Sequence, residues 1–281
     1  MNAKRFLMGL ILLLGLARPA LAATPGPIEL GVFPYLSTRA LLDLYQPVRL
    51  HLAAETGRPV NLFTAPSFKL YAEQTRQGVY DIVVTAPHFA RLAQREGRYV
   101  PLVIYTREWR GIVVVARDSP IQGLQDLKGK RIATPSHLAL VTIMGQQLLH
   151  DNGLLPNSVV TMLDVASHNN AVFAVQHGQA DAAITENAAL AQMPLELKRN
   201  LSIIAQTAPV PHVMYLAHPR LGQVEIKRIK AGLLKFPETA EGSAFLKDNG
   251  FEGMRPVNEA DLKSMDPYLK ELKHLLETAQ P

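Results

Sequence analysis

Polar residues that could bind a small anion stand where short apolar runs give way to helical patterns. Between Gly31 and Ala93 this happens three times, because a strand-like run ends in a small polar turn and a helix follows. The first residues of a helix carry unpaired backbone N–H groups and the positive end of the helix dipole. Several such turns at one sheet edge would form a cleft for a small ligand. The candidate residues at or beside such turns are Tyr35, Phe68, Thr85, Ser136, His137 and His168.

Three of these candidates also have a purely structural interpretation. His168 follows Ser167 at a helix start, so its imidazole either donates to a ligand oxygen or serves as a local cap-and-core residue. Ser136 is expected to cap a helix, a role that is compatible with binding a ligand as well. Phe68 lies one residue into a helix and either closes over the ligand or packs on its own lobe.

Two further candidates lie outside these turns. Trp109 is the only tryptophan and stands among Arg107, Glu108 and Arg110, a polar setting in which a core tryptophan would be unusual. We therefore expect it to form a wall of the cleft. His212 follows Pro211 and either contacts the ligand or only follows a proline turn.

Several functional classes are disfavoured by composition and spacing. The chain has no cysteine, and its nine histidines lack the paired spacing of a metalloprotease helix or a histidine-rich loop. It has no G-x-S-x-G motif and no cluster of basic residues interleaved with stacking aromatics. We therefore expect no enzyme activity, no metal, no cofactor and no binding to nucleic acid.

The first residues resemble a cleavable secretory signal. Lys4 and Arg5 precede an apolar run from Phe6 to Ala17, and Ala20-Leu21-Ala22 provides a small-x-small cleavage site. A signal peptide at residues 1–22 would remove three of the 29 basic residues, so 26 would face 24 acidic residues and the net charge would fall from +5 to +2. We expect a periplasmic protein.

The rest of the chain alternates between strand-like and helical segments, which predicts an α/β fold. We expect a two-lobed clamshell in which each lobe is a doubly wound, parallel sheet flanked by helices. The chain crosses between lobes near Gly111 and again near Pro209. The predicted lobe 1 comprises residues 23–110 and 208–281, and lobe 2 comprises residues 111–207. The segment Glu259 to Thr278 is expected to be one helix, and another is expected from His137 to about Asp151.

Six segments together resemble the periplasmic substrate-binding proteins of phosphonate, phosphite and phosphate ABC importers. They are GVFPYLS, ETGRPV with TAPSF, GVYDIVVTAPHFA, ARDSPIQGLQDLKGKRIA, SHNNAVFAVQHGQADAAI and APVPHVMYLAHPRL. This resemblance spans nearly the whole mature chain. It implies a type II periplasmic binding fold, no catalysis, a ligand held between the lobes, and delivery to a membrane permease with its ATPase.

The resemblance also suggests roles for particular residues. It implies that Phe68 and Trp109 are the aromatic residues around the ligand, that His168 is a binding histidine, and that Thr134-Pro135-Ser136-His137 is the phosphate loop. His212 stands where the family has an acidic residue that holds the ammonium of an aminophosphonate. An aminoalkyl phosphonate is therefore not the expected ligand.

We expect a monomeric binding protein that captures phosphite, phosphate or a simple alkylphosphonate for an ABC permease. Two alternatives remain open from the sequence. One is a sensory protein that docks on the periplasmic domain of a histidine kinase, and the other is a binding protein for an organic anion without phosphorus.

Overall fold

The computed structural model describes residues 26–278. The predicted signal peptide at residues 1–22 therefore lies outside the described residues and stays a prediction. Within the described part of the chain, no helix is both long enough and apolar enough to cross a membrane. The described residues form two sheets flanked by helices, which confirms the predicted α/β class.

The first sheet combines parallel and antiparallel pairing. Its strands are β1 (Ile28–Val32), β2 (Val60–Thr64), β3 (Ile82–Thr85), β4 (Val100–Tyr105), β10 (Met214–Ala217) and β11 (Met254–Pro256), in the order β11-β4-β10-β3-β1-β2. Strand β1 pairs in parallel with β2 and β3, as predicted. Strand β10, however, pairs antiparallel with both β3 and β4, because it enters the sheet from the other lobe and not through a helical crossover.

The second sheet repeats this arrangement. Its strands are β5 (Gly111–Ala116), β6 (Arg131–Pro135), β7 (Thr161–Val165), β8 (Ala182–Glu186) and β9 (Leu201–Gln206), in the order β7-β6-β8-β5-β9. Strand β6 is parallel to β7 and β8, while β5 is antiparallel to β8 and β9. We call each sheet with its flanking helices a lobe, the first lobe containing β1 and the second containing β5.

The helices are α1 (Thr38–Thr56), α2 (Phe68–Arg76), α3 (Pro87–Arg95), α4 (Leu140–Asp151), α5 (His168–Gln176), α6 (Asn187–Gln192), α7 (Leu195–Arg199), α8 (Gln223–Lys235), α9 (Ala240–Asp248), α10 (Glu259–Lys263) and α11 (Asp266–Thr278). Helix α1 shows why these segments form. Ser37 caps its first turn, Gly57 ends it in the left-handed conformation at φ 66°, and the buried residues recur at helical spacing.

Two predicted helices differ from the structure. Helix α4 begins at Leu140 and not at His137, because Ser136 accepts the backbone N–H groups of Leu138 and Ala139 through its hydroxyl and carbonyl oxygens and forms a separate turn. The helix predicted over Glu259 to Thr278 is divided into α10 and α11. Pro267 has no N–H group with which to continue the helix from α10.

The two segments that connect the lobes pair with each other. The backbone groups of Trp109 and Val210 exchange hydrogen bonds of 3.2 and 2.9 Å. Nearby, the Gly111 N–H donates to Thr207 Oγ1 at 2.9 Å, and the Thr207 N–H donates to the Gly111 carbonyl at 2.9 Å. A side chain at Gly111 would place its Cβ 3.0 Å from the Thr207 methyl group. The connection is therefore a short, closely packed two-stranded ribbon.

Candidate functional site

An open cleft of about 520 Å³ lies between the two lobes. We call it the outer cleft. It is lined from the first lobe by residues around 34–38 and 65–69, and from the second lobe by residues around 136–138 and 166–170. Each of these segments follows a strand and precedes a helix. The predicted convergence of strand-to-helix turns is therefore present in the structure.

Three helices begin at the outer cleft, and a serine caps each of them. The side chain of Ser37 accepts a hydrogen bond from the backbone of α1, that of Ser67 from α2, and that of Ser167 from α5, at 3.2 to 3.4 Å. The remaining N–H groups of each first turn have no partner within the helix. Together with the positive ends of three helix dipoles, these groups make the outer cleft favourable for an anion.

Only part of the expected phosphate loop faces the outer cleft. Ser136 and His137 line it, and His137 Nδ1 lies 3.2 Å from a carboxylate oxygen of Asp164. Thr134 is fully buried, and its hydroxyl is hydrogen-bonded to the hydroxyl of Thr142 inside the second lobe. Its hydroxyl is therefore used within the lobe. Phe68 also lines the outer cleft, and its expected contact with a ligand stays a prediction.

The other candidate residues surround a second, much smaller space. This inner cavity has a volume of about 10 Å³ and is lined by Phe33, Tyr35, Trp109, His168, Glu186, Gln192, His212, Val213 and Phe251. Four predicted site residues, Tyr35, Trp109, His168 and His212, are thus brought together away from the outer cleft. His168 differs from the expectation, because it does not line the outer cleft where the helix starts converge.

The outer cleft and the inner cavity are separated by the thickness of one layer of side chains. Phe33 lines the inner cavity and Phe68 lines the outer cleft, and their ring centroids are 6.3 Å apart in an edge-to-face contact. Along the chain, Pro34 and Leu36 face the outer cleft while Tyr35 faces the inner cavity. On the second lobe, Ser167 faces the outer cleft and His168 faces the inner cavity.

Glu186 is the charged residue among those of the inner cavity that the sequence analysis did not name. It ends β8, caps α6, and accepts hydrogen bonds from the backbone of Ala188 at 2.8 Å and of Ala189 at 2.6 Å. Trp109 Nε1 donates a third bond at 2.5 Å. Burial raises the pKa of Glu186 to about 7, and these three donors oppose that rise. An acidic residue directly between a strand pattern and a helix pattern is the signal that could have identified it.

Burial keeps both histidines of the inner cavity neutral. It lowers the pKa of His168 to about 3 and that of His212 to about 3, the latter with a smaller effect from the charge of Arg107. His168 Nδ1 lies 3.0 Å from Thr185 Oγ1. His212 Nδ1 accepts the backbone N–H of Val213 at 2.7 Å, so the ring proton is on Nε2. That Nε2 atom is buried and has no hydrogen-bond partner.

The remaining candidate, Thr85, lies outside both spaces, and so does the buried His88. Thr85 is fully buried within the first sheet and lines neither the outer cleft nor the inner cavity. His88, at the start of α3, is also fully buried and donates from Nε2 to the carbonyl of Leu138 in the second lobe at 2.9 Å. Burial lowers the pKa of His88 to about 4. Among residues 26–278, no group of three or more potential metal ligands is present.

Comparison with known families gives one match that covers most of the chain. A sequence model of the family described as "ABC transporter, phosphonate, periplasmic substrate-binding protein" matches residues 30–262. No curated protein sequence matches the chain.

Solved structures with the same fold cover nearly the whole chain. A binding-protein component of an ABC phosphonate transporter from Pseudomonas aeruginosa is 18% identical, with a TM-score of 0.75 over 91% of this chain and 99% of that one. PhnD1 from Prochlorococcus marinus, in complex with methylphosphonate, is 16% identical, with a TM-score of 0.77 over 91% and 100%. XAC2383 from Xanthomonas citri bound to ATP is 19% identical, with a TM-score of 0.72 over 91% and 100%.

Proposed function

The chain belongs to the family of periplasmic substrate-binding proteins of phosphonate ABC transporters, and on that premise we propose that it captures a small oxyanion in the outer cleft for an ABC permease. The family consists of periplasmic solute-binding proteins and not of enzymes, as predicted. The proposed ligands are phosphite, phosphate and simple alkylphosphonates. Among these, an oxyanion with an organic substituent would fill more of a cleft of about 520 Å³ and contact more of its lining.

The single observation that carries this proposal is the convergence of three serine-capped helix starts on one cleft. Helices α1 and α2 come from the first lobe and α5 from the second. An anion held by all three would contact both lobes at once. It would therefore bind the closed arrangement better than an open one, which is how a ligand shifts the population toward closure.

A thermal-shift and calorimetry panel tests the proposal. The panel contains phosphite, phosphate, methylphosphonate, sulfate and acetate, each with the wild-type protein. A ligand present at about 100 times its Kd should stabilise the protein by about 2.7 kcal/mol. The proposal requires that at least one phosphorus oxyanion stabilises the protein more than sulfate or acetate does.

A matched set of cap variants locates the binding site. Ser67→Ala and Ser167→Ala each remove a cap at the outer cleft, whereas Thr239→Ala removes the cap of α9, which does not line it. All three should lose about 1 kcal/mol of stability. Only the two cleft variants should also weaken oxyanion binding, by roughly tenfold. Equal affinity losses in all three variants would contradict this placement of the ligand.

A further inference from the structure

The inner cavity contains an unpaired hydrogen-bond donor and an unpaired acceptor. The donor is His212 Nε2–H, on a side chain that is only 2% exposed. The acceptor is Gln192 Oε1, which is also buried without a partner. The amide nitrogen of Gln192 donates to the carbonyl of Asn249 at 3.4 Å, so the amide oxygen has to point elsewhere. Leaving two such polar atoms unpaired in an enclosed space is costly.

The size of the cavity restricts what can satisfy these two atoms. Its volume of about 10 Å³ is close to the minimum that holds one water-sized group. A single group must therefore accept from His212 and donate to Gln192. Water can do both, and so can an alcohol hydroxyl group.

Charged groups of similar size fit poorly. An ammonium group cannot accept from His212, so the Nε2–H donor would stay unpaired. A carboxylate cannot donate to Gln192, and it would lie beside Glu186. A methyl group would leave both polar atoms unpaired.

We infer that the inner cavity is a subsite for one neutral hydroxyl group, which selects a hydroxyalkyl phosphonate over its amino and alkyl counterparts. The inference rests on the proposed function, since the phosphonate group would be held in the outer cleft. Phe33 and Phe68 form the partition in edge-to-face contact at 6.3 Å, so their rings would have to move apart to admit the short arm of the ligand. When a ligand has no hydroxyl arm, an ordered water occupies the subsite.

Calorimetry with four probes tests this selectivity: methylphosphonate, ethylphosphonate, 2-hydroxyethylphosphonate and 2-aminoethylphosphonate. In the wild type, the hydroxyethyl compound should bind roughly tenfold more tightly than the ethyl compound, the scale expected for hydrogen bonds between neutral groups. It should also bind at least about tenfold more tightly than the aminoethyl compound. Equal affinities for the hydroxyethyl and ethyl compounds, or a preference for the aminoethyl compound, would overturn the inference.

The Gln192→Met variant removes the acceptor and nearly preserves side-chain size. Its ratio of hydroxyethyl to ethyl affinity should fall close to one. The ratio is the proper readout, because loss of the bond to Asn249 affects all four ligands alike. Gln176→Met is the control: Gln176 also donates to a backbone carbonyl, that of Leu197 at 3.1 Å, but does not line the inner cavity, so the wild-type ratio should persist. A retained preference in Gln192→Met would refute the subsite.

Two outcomes separate this inference from the proposed function. Binding of methylphosphonate without any preference for the hydroxyl arm would overturn the inference alone. Absence of binding by all four phosphonates would overturn the proposed phosphonate ligand as well. A crystal structure of the methylphosphonate complex gives an independent check, because it should show one water between His212 Nε2 and Gln192 Oε1. A different occupant, or none, would overturn the assignment.

Discussion

Replacing Trp109 with phenylalanine should make the stability of the protein depend on pH in a new range. The substitution removes the Nε1–H donor that Trp109 directs to Glu186 at 2.5 Å. Glu186 would keep only its two backbone donors, from Ala188 and Ala189. Since the lost bond stabilises the ionised carboxylate, its loss should raise the pKa of Glu186 further.

The magnitude follows from the strength of a hydrogen bond to a charged group. Such a bond contributes about 1.5 to 3 kcal/mol, and about 1.4 kcal/mol corresponds to one pKa unit. The pKa of Glu186 should therefore rise from about 7 to a value roughly one to two units higher.

The sign of the pH effect follows from the direction of the shift. Because burial raises the pKa of Glu186 from its ordinary value of 4.5, its contribution to stability is fully present below that value and is lost as pH rises toward about 7. In the variant the loss should continue above pH 7. At about pH 6 the variant should show only the cost of the smaller ring, whereas at about pH 9 it should lose a further 1.5 to 3 kcal/mol, roughly.

Urea unfolding followed by far-UV circular dichroism at both pH values measures this difference. The control is the same substitution in a Glu186→Gln background, where the cost of Trp109→Phe should not change with pH. An equal cost at about pH 6 and about pH 9 in the otherwise wild-type protein would refute the role assigned to this hydrogen bond.

Two further predictions concern the buried histidines. His88→Ala removes the hydrogen bond that joins the first lobe to the Leu138 carbonyl of the second lobe. The variant should therefore bind phosphonate roughly five- to tenfold more weakly, and its radius of gyration in X-ray scattering should be larger. His51→Ala, which removes a similar bond to Gly232 within the first lobe, should change neither quantity, and equal effects would contradict a role for His88 in closure. Because burial lowers the pKa of His88 to about 4 and those of His168 and His212 to about 3, their contribution to stability is present above the ordinary value of 6.5 and is lost as pH falls. Glu186 has the opposite effect, so the net loss of unfolding free energy between about pH 7 and about pH 5 should be about 3 kcal/mol, as measured by urea unfolding. The loss should be larger in Glu186→Gln, which lacks this offset. A protein that becomes more stable on acidification would contradict neutral buried histidines.

Local signals in the sequence were sufficient to predict the outer cleft. Ser37, Ser67 and Ser167 each stand between an apolar run and a helical pattern, and each caps a helix as this spacing predicts. The convergence of these caps follows from an α/β fold, in which the carboxyl ends of parallel strands share one edge. The assignment of residues 23–110 with 208–281 and of 111–207 to two separate lobes stays a prediction.

Prediction of the inner cavity would have required information that local sequence patterns do not contain. Tyr35 and Leu36 are neighbours, yet they face different spaces, because the chain turns sharply between β1 and α1, where the Tyr35 N–H donates to the Phe33 carbonyl at 3.0 Å. His168 and His212 come from different lobes, so their proximity depends on how the lobes pack. Glu186 caps α6 locally, but its third donor, Trp109, lies 77 positions away in the chain, and no local pattern indicates that contact.

The position of β10 makes the first sheet depend on parts of the chain that are far apart in sequence. All strands of the second sheet come from residues 111–206, so this sheet can form from one continuous stretch of chain. The first sheet is different, since β10 (Met214–Ala217) lies between β3 and β4 but follows the whole second lobe in the chain, so β3 and β4 are not joined before β10 docks. Until then β3 and β4 have no shared neighbour, and their unpaired edges are exposed to wrong partners. Completion of the first sheet therefore requires contacts of longer sequence separation than those of the second sheet, which favours slower folding of the first lobe.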